Sequence, residues 1–156
     1  MGIQESLAKR RTYYNINKEL PVAEADVIAL VENTTELVPD AFNMKSARVI
    51  VATKEKQDAL WDAIYDAFGG KVAREKIDSF KAGYGTLQIS IWTALRELNI
   101  GANLQHYNPV IDETVKKMFG VPDSWKLIAQ MPFGGIAAEP QAKDKEDIKA
   151  RVKVFN

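Results

Sequence analysis

Residues Lys9 to Tyr14 read Lys-Arg-Arg-Thr-Tyr-Tyr and set two guanidinium groups beside a hydroxyl within one turn of chain. Arg10 and Arg11 offer planar forks of N–H donors that match phosphate oxygens, and Thr12 adds an uncharged donor, so the segment reads as an anion clamp. The competing reading is a solvated basic turn, the commoner use of a short charge run. The anion reading gains weight from the rest of the chain: Asn43, the segment Gly101 to Asn108, Gly134, Gly135 and a basic tail can gather around one phosphorylated ligand.

Composition makes any such recognition local. The chain has 156 residues, 46% of them hydrophobic, enough for one domain with a real core. Lys+Arg and Asp+Glu stand equal at 21 each, so no bulk charge draws the protein toward nucleic acid or an anionic membrane. The absence of cysteine rules out disulfides, thiolate catalysis and sulfur-ligated metals, and a single histidine, His106, speaks against a protein-held zinc or haem. The start of the chain is polar and charged, and no apolar run approaches ~18 residues. Neither a signal peptide nor a membrane span is indicated, and a cytoplasmic protein is the expectation.

The elements that must carry these residues alternate between helix and strand. Ile3, Leu7 and Ala8 open an amphipathic helix. Pro21 suits a first helical position, with Val22, Ala25, Ile28, Ala29, Val31 and Leu37 following at near-helical spacing and Asn33 to Thr35 expected to fray the end. Ala47 to Thr53 predicts a mostly buried strand. Thr53 then caps a helix that carries Leu60, Trp61, Ile64 and Phe68 and stops at Gly69-Gly70. Ser79 to Thr86 reads as extended, weakened by Gly83 and Gly85. Ile89 to Leu98 predicts a helix with Ile91, Trp92, Leu95 and Leu98 inward, ended by Gly101. Asn108 and Pro109 open another helix through Met118, with Asp112 and Glu113 near its positive end. Trp125 to Met131 reads as a second strand broken by Pro132 to Gly135. Val152 to Phe155 is a terminal strand that has to dock somewhere, a partner subunit being one candidate. Trp61, Trp92 and Trp125 are assigned to packing, and Glu97 and Asp112 to ordinary helix surface. No repeat or linker divides residues 1–156, which read as one domain.

Taken in order, Arg10-Arg11-Thr12, Ala41-Phe42-Asn43-Met44-Lys45-Ser46-Ala47-Arg48, Trp92-Thr93-Ala94-Leu95, the run Gly101 to Pro109 and Pro132-Phe133-Gly134-Gly135 resemble the FMN-dependent nitroreductase family. More narrowly, they resemble its short branch related to fatty-acid-repression-mutant proteins. The resemblance implies an α+β fold with a central mixed or antiparallel sheet flanked by helices, built as an intertwined homodimer with an FMN in each of two interface sites. It implies that Arg10, Arg11 and Thr12 hold the FMN phosphate, with Lys143 and Lys145 matching a basic tail pair and Arg151 a further candidate. Family members often carry another basic group two or three positions after the arginines; this chain has Tyr14 there. Asn43 would donate to a ring carbonyl and accept from a ring N–H at the pyrimidine edge, with Ser46 grouped beside it among the cofactor-binding residues. A plain turn role for Asn43 is nearly as well supported. Gln105, His106 and Tyr107 match the segment whose backbone approaches flavin N5, where an N–H stabilises charge on reduction. His106 is therefore assigned to lining the cofactor rather than to catalysis. Gly134 and Gly135 would let backbone approach the ligand, or simply end a strand.

One departure from the family pattern concerns the sheet. Relatives in this branch continue from the equivalent of Gly83-Tyr84-Gly85-Thr86 through a hydrophobic strand before the helix that carries Trp92, whereas here Thr86 runs straight into Leu87-Gln88-Ile89. A natural or engineered deletion, or residues left out of the sequence, would produce this junction. Losing a buried strand strips backbone partners and core contacts together.

No Gly-x-Gly-x-x-Gly follows a strand, so no dinucleotide domain is available for nicotinamide. The resemblance implies an oxidoreductase that passes a hydride from NAD(P)H through flavin N5 to a nitroaromatic or quinone in a ping-pong cycle. The cofactor carries the chemistry and no side chain acts as acid or base. A non-catalytic FMN-binding or redox-sensing protein is the alternative from another class, and a binder of some other phosphorylated ligand is a third.

Overall fold

The computed structural model describes residues 2–38, 46–69 and 86–142. The expectations for Asn43, Ser79 to Gly85, Lys143, Lys145, Arg151 and Val152 to Phe155 lie outside the described residues. Along the chain run α1 (Ile3–Lys9), β1 (Ile16–Asn17), α2 (Glu24–Leu37), α3 (Lys54–Ala67), α4 (Thr86–Glu97), β2 (Ile100–Ala102), α5 (Asp112–Phe119) and β3 (Phe133–Ile136). The strands form an antiparallel sheet in the order β1-β3-β2, with Ile16 opposite Ile136 and Gly101 opposite Gly134. The α+β class expected from the sequence is the class observed.

Two apolar clusters flank the sheet region. Val27 and Val31 of α2 and Ile91 and Leu95 of α4 each stand four residues apart, which puts each pair on one helix face, and they meet Ile100 and Ala102 of β2. Burying a side chain such as Leu95, 1% exposed, stabilises the fold by about 1.5–3 kcal/mol. The second cluster joins Ile64 of α3, Ile111 and Val115 to Tyr107. Trp61 and Phe68 meet the Tyr107 ring edge-on, with centroids 6.2 and 5.8 Å away. The chain from Ile100 to Tyr107 thus starts in one cluster and ends in the other, which holds the intervening residues at both ends.

Several helix boundaries differ from expectation for local reasons. Helix α2 begins at Glu24 rather than Pro21, after an extended Ala23, and it continues through Asn33 to Thr35. The helix is anchored by the burial of Val27 and Val31, and the Thr35 hydroxyl, donating to the Val31 carbonyl at 2.7 Å, is satisfied within it. Helix α1 turns its apolar residues outward: Ile3 is 77% exposed and Leu7 45% exposed. Its inward residue is Ser6, whose hydroxyl donates to Glu97, so that carboxylate is a packing partner rather than plain surface. Thr53 precedes α3 as expected, but its hydroxyl donates to Glu24 at 2.8 Å instead of capping. Helix α4 covers Thr86–Glu97 and is ended by left-handed Asn99, to which Arg96 donates at 3.0 Å, ahead of Gly101 in β2. Helix α5 starts at Asp112, because Asn108 spends its amide on Asp112 and on the Leu127 carbonyl, both at 2.7 Å.

Both segments expected to be long strands are instead irregular. Ala47 to Thr53 carries no strand assignment, and Val49 and Ile50 are each 41% exposed. Trp125 to Met131 keeps a single bridge, Gln130 with Gln105. A strand is a property of a pair, since its N–H and C=O groups need a ladder. Among the described residues no strand runs beside Ala47 to Thr53.

Candidate functional site

The residues with chemical potential are drawn together by backbone bonds. Thr12 forms a parallel bridge with Ala102, and the Tyr13 amide donates to the Ala102 carbonyl at 3.0 Å. Asn103, 3% exposed, returns its side-chain amide to the Tyr13 carbonyl at 2.9 Å and takes its own N–H to the Pro132 carbonyl at 3.1 Å. Gln130 secures the far end: its backbone exchanges bonds of 2.8 and 2.9 Å with Gln105, and its side-chain oxygen accepts from the Tyr107 N–H at 2.9 Å. The arginine segment, the stretch Ala102 to Tyr107 and the approach to β3 are therefore one hydrogen-bonded unit.

Within that unit some polar groups have no partner. Gln105 Oε1, His106 Nδ1 and His106 Nε2 are buried with no hydrogen bond among the described residues. The Gln105 and Tyr107 N–H groups are committed to Gln130, whereas the His106 N–H has no acceptor among the described residues. A buried polar group left unsatisfied costs about 1–3 kcal/mol, so such groups are met by an ordered water, an ion or a ligand.

The two arginines diverge. The Arg10 guanidinium carbon lies 4.4 Å from the centre of the Trp92 ring, and burial together with the Arg11 charge pulls Arg10 below the usual arginine pKa. Arg11 donates to the Gln141 carbonyl at 2.8 Å. Among the described residues no carboxylate pairs with either. Behind them Tyr13, 2% exposed, donates its hydroxyl to Glu139 at 3.0 Å, with the Arg96 guanidinium 5.6 Å from its ring. Burial and that bond to Glu139 raise the phenol above its ordinary value.

Gly134 and Gly135 lie inside β3, and their lack of a side chain is required by the neighbouring chain. A Cβ on Gly134 would collide with the Asn17 carbonyl, and one on Gly135 with the Glu19 carbonyl and the Asn17 side chain. Ser46 is exposed at the start of an irregular stretch, and no described contact ties it to Gln105 or His106. Trp92 and Trp125 are more than packing, since each lies under a guanidinium, Trp125 under Arg48 at 5.7 Å. Sequence reasoning missed Asn103 and Gln130 as organisers of the site. The available signal for Gln130 was one amide in the otherwise apolar run Leu127-Ile128-Ala129-Gln130-Met131.

Among the described residues no cluster of carboxylates and histidine could hold a metal ion, and no helix is long and apolar enough to cross a membrane. What remains is an α+β domain whose polar site rests on an arginine pair and a backbone segment rather than on an acid–base pair. The chain belongs to the nitroreductase family: the model described as "Nitroreductase family" matches residues 7–87. That match ends at the junction of Thr86 with Leu87. The chain is 32% identical to the nitroreductase CinD from Lactococcus lactis, solved in complex with 4-nitrophenol; the likeness covers 99% of this chain and 100% of that one at a TM-score of 0.88. It is 28% identical to nitroreductase FRM2 of Saccharomyces cerevisiae over 175 aligned residues, covering 88% of this chain and 90% of that protein. That alignment is longer than the 156 residues here, so the yeast protein carries residues with no counterpart in this chain. The fold is also shared with the FMN and NADPH-dependent nitroreductase NfnB from sphigopyxis sp. strain HMH, at 12% identity, a TM-score of 0.80 and full coverage of both chains.

Proposed function

We propose that the protein is an FMN-dependent oxidoreductase that moves electrons from NAD(P)H to a nitroaromatic or quinone-type acceptor. The observation that carries this reading is the buried, unpartnered side-chain oxygen of Gln105 and ring nitrogens of His106, among the described residues, on the segment hydrogen-bonded to the arginine turn. Those donors and acceptors fit a planar heterocycle with a phosphate tail. Arg10, Arg11 and Thr12 bind the phosphate, helped by Lys143, Lys145 and Arg151 from the tail. Asn43 and Ser46 serve the pyrimidine edge, Gln105 and the backbone at Tyr107 line the ring while the Tyr107 side chain stays in the core, and Gly134 and Gly135 keep the adjoining backbone close.

When bound, FMN supplies a two-electron carrier that accepts a hydride from the nicotinamide and yields it to the acceptor. The protein's part is position and charge. The His106 N–H is the backbone donor left free to stabilise negative charge at the ring, so the reaction does not depend on the imidazole as an acid. The outward apolar residues of α1, Ile3 and Leu7, fit a surface covered by a second copy of the chain in a homodimer. The nitroreductase CinD, 32% identical and solved in complex with 4-nitrophenol, supports the same class of chemistry.

A second reading, a non-catalytic FMN-binding or redox-sensing protein, draws on the residues that the yeast relative carries and this chain lacks. Mixing the purified chain with FMN and then NAD(P)H under anaerobic conditions separates the two: bleaching of bound flavin supports turnover, and bound flavin that stays oxidised supports the sensor.

A further inference from the structure

We propose that Trp92 is a positioning residue for phosphate recognition, its indole face fixing the plane of the Arg10 guanidinium. The inference rests on the FMN reading and concerns how that site prefers a phosphorylated flavin.

Three observations carry it. Trp92 sits on α4 and packs against the cluster of Val27, Leu95 and Ile100, so the ring is held by the core rather than by the ligand. Arg10 lies at the C-terminal cap of α1 with its guanidinium carbon 4.4 Å from the ring centre. Among the described residues it has neither a carboxylate partner nor a hydrogen-bond acceptor for its side chain. Stacking uses the face of the guanidinium and leaves its in-plane N–H groups free. A carboxylate partner would have occupied those same donors, and a phosphate would then have to displace it. Trp92 therefore orders a long side chain in advance while keeping its fork available. The Trp92 Nε1–H is itself buried without an acceptor among the described residues, a further donor with nothing to bind.

The test is a titration of the full chain with FMN and with riboflavin, which lacks the phosphate. Trp92→Leu is expected to weaken FMN about 2- to 30-fold, the range of a cation–π contact, while riboflavin binding stays the same. Trp92→Phe keeps a π face and is expected to retain most of the preference for FMN. Arg10→Lys, which keeps the charge but cannot stack as a plane, is expected to lose it. If Trp92→Leu does not fold, Trp92→Met fills the same space without a ring and decides in its place. Equal weakening of FMN and riboflavin, or unchanged FMN affinity without the ring, overturns the inference and leaves Trp92 as packing. Wild-type protein that binds FMN no better than riboflavin overturns the phosphate reading itself.

Discussion

The Tyr13 amide donates to the Ala102 carbonyl at 3.0 Å, and through that bond the turn carrying Arg10 and Arg11 is fixed to the strand that leads into Gln105 and His106. The two segments lie far apart in sequence, and Asn103 closes the pair by donating back to the Tyr13 carbonyl at 2.9 Å. The arginine turn and the Gln105–His106 segment, the two ends of the proposed FMN site, are thereby held in a set relation by one main-chain bond and one bond from the Asn103 side chain.

Arg10→Ala and Arg11→Ala are each expected to lose FMN far more than Arg48→Ala does. Each removes charge-assisted bonds to phosphate worth about 1.5–3 kcal/mol, which is roughly a tenfold or greater loss of affinity. Flavin titration of the three variants is the check, and equal affinity in all three contradicts the clamp.

Gly135→Ala is expected to destabilise the fold by about 1–3 kcal/mol, because the new methyl meets the Glu19 carbonyl and the Asn17 side chain between β1 and β3. Urea unfolding measures it. Wild-type stability in the variant would mean that β1 does not press on β3 as described.

Tyr13 gives the protein an alkaline sensitivity. Its folded-state pKa is raised by burial and by its bond to Glu139, so the fold favours the neutral phenol. The contribution is complete below the ordinary phenol value near 10 and is lost as pH rises through the higher folded-state value. Stability measured between about pH 9 and pH 11 should fall more steeply in wild type than in Tyr13→Phe. Parallel curves would show that Tyr13 titrates as it does in the unfolded chain.

How much of this was legible in the sequence depends on whether an element is specified locally or by a partner. Helices α3 and α4 were readable because Ile64, Ile91 and Leu95 repeat at helical spacing and because Gly69 takes a left-handed turn at φ 59°. The family was readable from the ordered set of motifs that includes Arg10 and Arg11. The strands at Ala47 to Thr53 and Trp125 to Met131 were misread, since β-branched residues report a preference for pairing and not the presence of a partner. The direction of the apolar face of α1 was not legible: Ile3 and Leu7 mark the face, but the bond from Ser6 to Glu97 decides which side meets α4. The roles of Asn103 and Gln130 depend on distant carbonyls that no local pattern reveals.

Replacing His106 by Asn is expected to lower turnover only modestly, with bound FMN retained, because the donor assigned to the ring is the backbone N–H at that position. Steady-state rates should give parallel double-reciprocal lines as the acceptor is varied, since donor and acceptor use one flavin face in turn. Complete loss of reduction in an FMN-loaded variant would mean that the imidazole itself takes part.

The central claim is that this chain holds FMN and reduces it with NAD(P)H. The direct measurement is the visible spectrum of the purified protein after addition of FMN and removal of excess, followed anaerobically as NAD(P)H is added. A bound flavin spectrum that bleaches on addition of NAD(P)H and returns when a quinone or nitroaromatic is supplied is the expected result. Protein that retains no flavin, or a bound spectrum indifferent to NAD(P)H, contradicts it.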